Sequence, residues 1–154
     1  MQSLRISLIL IFAVLLLNAS AWAASDSIVG VWLNGGKDAH IDISKCGDKY
    51  CGKLVWLKEP LYPQGSKAGT PGTPKLDDKN PDASRRNVPL IGLEIVKGLQ
   101  FGGDDSWKNG TIYDPDSGKT YNSKAKLVSP NELDLRGFIG FSLMGRTEKW
   151  TRVQ

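Results

Sequence analysis

The 154-residue chain is poor in the side chains that carry redox and metal chemistry, with two cysteines and a single histidine. One imidazole excludes multi-histidine zinc catalysis and leaves any Ser-His-Asp arrangement dependent on His40, which reads as a polar residue at a strand edge. Clustered positive charge is also missing. Lys and Arg alternate with Asp and Glu, and the densest basic spot is Arg85-Arg86, so no nucleic-acid partner is expected. A long helical period is absent after the first two dozen residues. The longest uncharged apolar run, Ile6 to Leu17, has 12 residues, whereas a membrane-spanning helix needs about 20.

That short run has a different meaning at its position. Arg5 precedes it, and Ala21-Trp22-Ala23-Ala24 follows it, with small residues at the two positions a signal peptidase reads when it cuts after Ala23. Residues Met1 to Ala23 are therefore expected to be a cleaved export signal, leaving one domain of 131 residues from Ala24 to Gln154. Removing Arg5 lowers the net charge from +4 to +3. With no cysteine at or just after the cut there is no lipid acceptor, so a product without membrane anchor, periplasmic or secreted, is expected. In that compartment Cys46 and Cys51, bracketing a hairpin loop, read as a disulfide rather than a metal pair or a redox-active pair.

What is present is β patterning. Eight segments alternate or carry β-branched and aromatic residues: Val29 to Leu33, Ala39 to Cys46, Cys51 to Lys58, Leu90 to Val96 continuing past Gly98 to Phe101, Trp107 to Tyr113, Lys119 to Val128, Glu132 to Phe138, and Arg146 to Val153. Turn chemistry separates them: Asn34-Gly35-Gly36, the four residues Gly47 to Tyr50, Asp114 to Gly118, and Ser129-Pro130-Asn131. Gly98 predicts a bulge. Leu54 and Trp56 are expected on one face of the third strand.

Two connections depart from this pattern. Glu59 to Pro89 is a loop of about 30 residues rich in Pro and Gly, a length usually associated with function or mobility, and within it Asn80 could cap a short helical turn that begins at Pro81 and reaches Arg86. Phe138 to Gly145 is apolar where a loop should be polar. Mostly hairpin links between eight segments predict an all-β, eight-stranded antiparallel up-and-down barrel, with a β-sandwich as the alternative. In such a barrel both unusual loops emerge at the same end. The first and last strands meet to close it.

A Gly-x-Trp opening the first strand, Gly30 and Trp32, with Arg152 near the end of the last, is similar to the lipocalin and wider calycin signature, in which the cation lies over the indole and closes the barrel. The run of motifs from Gly30-Val31-Trp32 through Cys51-Gly52-Lys53-Leu54, Asn80-Pro81-Asp82, Pro89-Leu90-Ile91-Gly92, Ile112-Tyr113-Asp114-Pro115, Ser117 to Tyr121 and Arg136-Gly137 to Trp150-Thr151-Arg152-Val153 resembles a bacterial secreted family known as domain of unknown function 2147. The resemblance implies a lipocalin-like barrel that binds a small apolar or amphipathic molecule, and it supplies no catalytic residues. Lys67 to Pro74 makes the long loop longer than that family's usual connection.

The residues that could line such a site are Trp56, Tyr113, Tyr121, Phe138, Phe141 and Met144, which could equally be core or rim side chains. Arg136 and Glu94 sit in apolar strands and would need partners if buried; they could pair, hold a polar ligand head, or face water. Asp78 to Asp82 imitates the start of a calcium loop, but Ala83 and Pro89 stand where Gly and Glu are required. The pairs Asp77-Asp78, Asp104-Asp105 and Asp114/Asp116 read as turn residues rather than glycosidase carboxylates. Asn109-Gly110-Thr111 likewise reads as a turn. No cofactor, no metal site and no enzyme activity is expected; an envelope protein docking on the apolar loop 138–145 is the alternative to a small-molecule ligand.

Overall fold

The strand alternation seen in the sequence is also the packing. In Ala39–Cys46 the residues Ala39, Ile41 and Ile43 are buried and their neighbours face outward. The computed structural model describes residues 25–153, so the expected leader and its cut after Ala23 lie outside the described residues. Strands β1 (Gly30–Leu33), β2 (Ala39–Cys46), β3 (Lys49–Leu57), β4 (Glu94–Gly103), β5 (Ser106–Asp114), β6 (Lys119–Ser129), β7 (Glu132–Phe138) and β8 (Gly145–Arg152) pair in sequence order, and β8 returns to β1 through Trp32 and Arg152. The result is a closed antiparallel up-and-down barrel, and that closure excludes the sandwich alternative.

Several local expectations shift. The β2–β3 loop tightens to Gly47-Asp48, because Lys49 and Tyr50 pair with Cys46 and Lys45. Cys46 and Cys51 are disulfide-bonded across this hairpin, with their Cα atoms 5.8 Å apart. β4 starts at Glu94 rather than Leu90, since Leu90 bonds Lys75 in the long loop while Gly92 and Leu93 bond Leu54. Its register against β3 slips between Val96 and Leu99, the stretch that contains Gly98. Leu54 and Trp56 do not share a face: a bulge pairs Leu54 with Ile41 and Trp56 with His40, which leaves Val55 unpaired. Trp56 is 41% exposed and stacks on the His40 ring at 4.4 Å.

One end of the barrel is sealed. Gly30 has φ of +134°, and a Cβ there would come within 2.5 Å of the Arg152 guanidinium, which accounts for the glycine. That guanidinium lies 4.2 Å from the Trp32 ring centroid and donates to the carbonyls of Ser27, Val29 and Pro130. A 3-10 turn, Asp26–Ile28, lies across the opening. It is held where Trp32 donates to Ile28, Trp107 donates to Ser25, and Tyr50 donates to Asp26 at 2.7 Å. Lys45 pairs with Asp26 at 2.8 Å, and this bond, with that from Tyr50, holds the Asp26 carboxyl below its ordinary range. Above the plug the interior is filled by Trp32, Trp107, Trp150, Ile43, Leu99 and Leu133.

At the other end the long loop is folded. Leu61 bridges Pro74 and Leu76 bridges Pro89, and Tyr62 is buried against Gly69 with its hydroxyl accepting from the Leu76 amide. Asp82, not Asn80, caps a 3-10 turn that spans Ala83–Arg85; Asn80 instead accepts from the Asp82 amide.

Candidate functional site: the mouth of the barrel

Register fixes which side chains point into the barrel. Trp107, Ala125 and Leu135 are cross-strand neighbours and buried, and the same inward row structure continues upward through Gly110, Ser123 and Gly137, then Ile112 and Tyr121. Ile112 reaches across the interior: its Cγ2 would sit 3.4 Å from a Cβ placed on Gly137, two strands away. On β8 the inward residue opposite Leu135 is Glu148, whose carboxylate accepts from the Trp150 indole at 3.5 Å and lies 3.7 Å from Arg146.

Unlike the filled sealed end, Ile112, Tyr121, Gly137 and Glu148 all keep partial solvent exposure although they face inward. Below them Ser123 is 1% exposed and its hydroxyl has no hydrogen-bond partner. The arrangement is a cup with apolar walls, one unpaired hydroxyl at its floor and one carboxylate on its side.

The long loop is latched over this mouth. Asp77 is buried and accepts from the Tyr113 hydroxyl at 2.6 Å and from the Asn80 side-chain amide at 2.6 Å. Burial pushes the Tyr113 hydroxyl well above its ordinary range, and the Asp77 carboxylate acts in the same direction. Lys79 donates to the Asp116 carbonyl, and a Cβ on Gly118, where φ is +67°, would overlap the Lys79 carbonyl oxygen. Asp77 is thus more than the turn residue its sequence context predicts.

The residues singled out from sequence are dispersed around this end. Tyr121 lines the cup. Tyr113 forms the latch, and Trp56 lies on the rim beside His40. Arg136 is on the outer face, cross-strand from Lys124 and Thr147, and Glu94 is on β4 opposite Lys53, so the two are not brought together. Arg136 donates to the carbonyls of Ser142 and Leu143 and to the Thr147 hydroxyl. Phe138 ends β7, paired with Asn122 and Gly145, and Phe141 and Met144 project into solvent. Sequence reasoning passed over Ser123 and Glu148; the available signal was parity, since Ser123 alternates in step with Tyr121 and Ala125, and Glu148 with Trp150. Among the described residues no group of three or more His, Cys, Asp or Glu is placed to hold a metal ion, and no helix is long and apolar enough to cross a membrane.

A comparison with curated proteins found no match. Among solved structures the chain is similar to protein HP1028 from Helicobacter pylori, described as belonging to the lipocalin family, with a TM-score of 0.68 and 22% identity over 82% of this chain and 83% of that one. At that identity the likeness concerns the fold, which is lipocalin-like. The model of a family described as "Uncharacterized protein conserved in bacteria (DUF2147)" matches residues 30–152, and the chain belongs to that family.

Proposed function

We propose that this protein is a periplasmic or secreted binding protein that takes a small amphipathic molecule into the mouth of its barrel, and that it acts without catalysis. The observation that carries the reading is the asymmetry of the interior: the sealed end is packed with tryptophans, while inward-facing Ile112, Tyr121, Gly137 and Glu148 at the other end stay accessible. Apolar walls would hold a hydrocarbon portion, and Ser123 and Glu148 would meet a polar, donor-bearing head. The disulfide is consistent with an oxidising compartment.

Native mass spectrometry of protein purified without detergent, followed by a tryptophan-quenching screen of fatty acids, acyl amines and related lipids, tests the reading. A retained mass or saturable quenching is expected. Ser123→Ala should weaken the best ligand by about five- to tenfold, the loss of one hydrogen bond. A mouth that takes up none of these molecules would overturn the proposal.

A further inference from the structure

The exposed hydrophobic residues are distributed as unevenly as the interior. Ten large apolar side chains are exposed among the described residues, and eight of them, all but Val29 and Val128, lie at the mouth. Four belong to one projecting connection, where Ile139 is 67%, Phe141 82%, Leu143 90% and Met144 74% exposed. On the opposite flank stand Val55, Trp56, Leu61 and Ile91.

The carbonyls at the tip of the projecting loop are already paired. Phe141 accepts from the Met144 amide, Met144 accepts from the Ile139 amide, and Arg136 donates from Nε to Ser142 and from Nη2 to Leu143. Four consecutive carbonyls therefore have donors within the chain. In water this arrangement is optional, but an apolar loop can enter a hydrocarbon boundary only when its carbonyls need no water. The collar beneath the loop is cationic: Arg136 lies beside Lys124 on the outer face, and Arg146, exposed and 3.7 Å from the Glu148 carboxylate, follows the loop directly. Of the carboxylates on β7 and β8, Glu132 is engaged by Lys149 and Asp134 lies between Lys126 and Lys149, while Glu148 faces inward; Asp114 and Asp116 lie on the neighbouring β5–β6 turn.

We infer that the mouth end docks on an anionic lipid surface, with Ile139, Phe141, Leu143 and Met144 entering the interface and Lys124, Arg136 and Arg146 facing the lipid phosphates. Long cationic side chains reach the headgroup layer while their stems lie along apolar surface. Docking in this orientation points the barrel opening at the lipid. The inference stands whether or not the cup binds a ligand, and its test does not depend on one.

At low ionic strength the purified protein should co-sediment with vesicles of phosphatidylglycerol and phosphatidylethanolamine, and at least tenfold less with phosphatidylcholine vesicles. The double variant Phe141→Asp, Leu143→Asp should lose this binding with unchanged thermal unfolding, because both side chains are at the surface. Arg146→Glu should weaken it about fivefold or more, the effect of one cation near an anionic membrane. A bimane label on Leu143→Cys should be quenched by brominated acyl chains. Equal sedimentation with neutral vesicles, or binding that survives the aspartates, would overturn the inference. So would failure to bind vesicles together with a dimer, or a cross-linked envelope protein, that the aspartates dissolve.

Discussion

Asp77 and Tyr113 are 36 residues apart in sequence and share a part-buried hydrogen bond, and each is expensive to leave alone. Tyr113→Phe removes a donor from a buried carboxylate, so a loss of about 1–3 kcal/mol in denaturant unfolding is expected. In Asp77→Asn the two effects should be strongly non-additive with Tyr113→Phe. The pH dependence has a definite sign. The folded-state hydroxyl of Tyr113 titrates above its unfolded value near 10, so its contribution is complete below that value and is lost as pH rises beyond it. Tyr113→Phe should flatten the alkaline limb of a stability-versus-pH curve; an unchanged limb would show that the latch does not titrate there. None of this was legible at Asp77 itself. An Asp-Asp pair among Lys, Asn and Pro has the composition of a turn, and the partner that buries it comes from another strand.

At the scale of elements, two segments are pinned onto the barrel by side chains. The 3-10 turn Asp26–Ile28 depends on Asp26 accepting from Lys45 and Tyr50. Because the carboxyl titrates below its ordinary value, these bonds contribute at pH above about 4 and are lost as acid takes pH down through the lowered value. The hydrogen-exchange protection factor of Val29 should fall in that acid range, and in Asp26→Asn it should be low already at neutral pH. The long loop depends on the close approach of Lys79 to Gly118. Gly118→Ala would both strain the backbone and push the two apart, so limited proteolysis should cut between residues 59 and 89 much faster than in the parent chain while the barrel stays folded. The elements were readable because strand periodicity and turn residues are local. Trp56 was not, because the bulge between His40 and Ile41 inverts the third strand's parity at a point where the residues themselves, Val55-Trp56-Leu57, give no sign of it. The cap of the short turn moved from Asn80 to Asp82 for a similar reason, since Asn80 is occupied with Asp77 and the Asp82 amide.

For the whole molecule, closure is the dominant fact. It was legible as Gly30-Val31-Trp32 facing Trp150-Thr151-Arg152 across the first and last strands, whereas the accessible inward positions Ile112, Tyr121, Gly137 and Glu148 were not told apart from the buried ones, because both belong to the same strand alternation. Hydrogen bonds and a cation at one point, Arg152, join the 3-10 turn, β1 and the β6–β7 turn. Arg152→Lys keeps the charge but cannot reproduce the three-carbonyl fork, so a loss of about 2 kcal/mol in global stability is expected. The disulfide is a smaller contributor. It closes a loop of only a few residues, worth about 2 kcal/mol on the chain-entropy account, so reduction should lower the unfolding midpoint by several degrees and leave far-ultraviolet circular dichroism unchanged.

The Arg152 clasp also decides how the molecule can be handled and tethered. Because it draws Ser27 and Val29 to the final strand, residues 25 and 153 leave the barrel at the same pole, opposite the mouth. A fluorophore, surface linker or fusion partner attached at residue 25 or residue 153 would stand away from the cup and the projecting loop. A short peptide could splice the two ends together and move the chain break to the Asn34-Gly35-Gly36 turn, giving a permuted barrel whose new termini flank the opening and whose sealed pole remains intact.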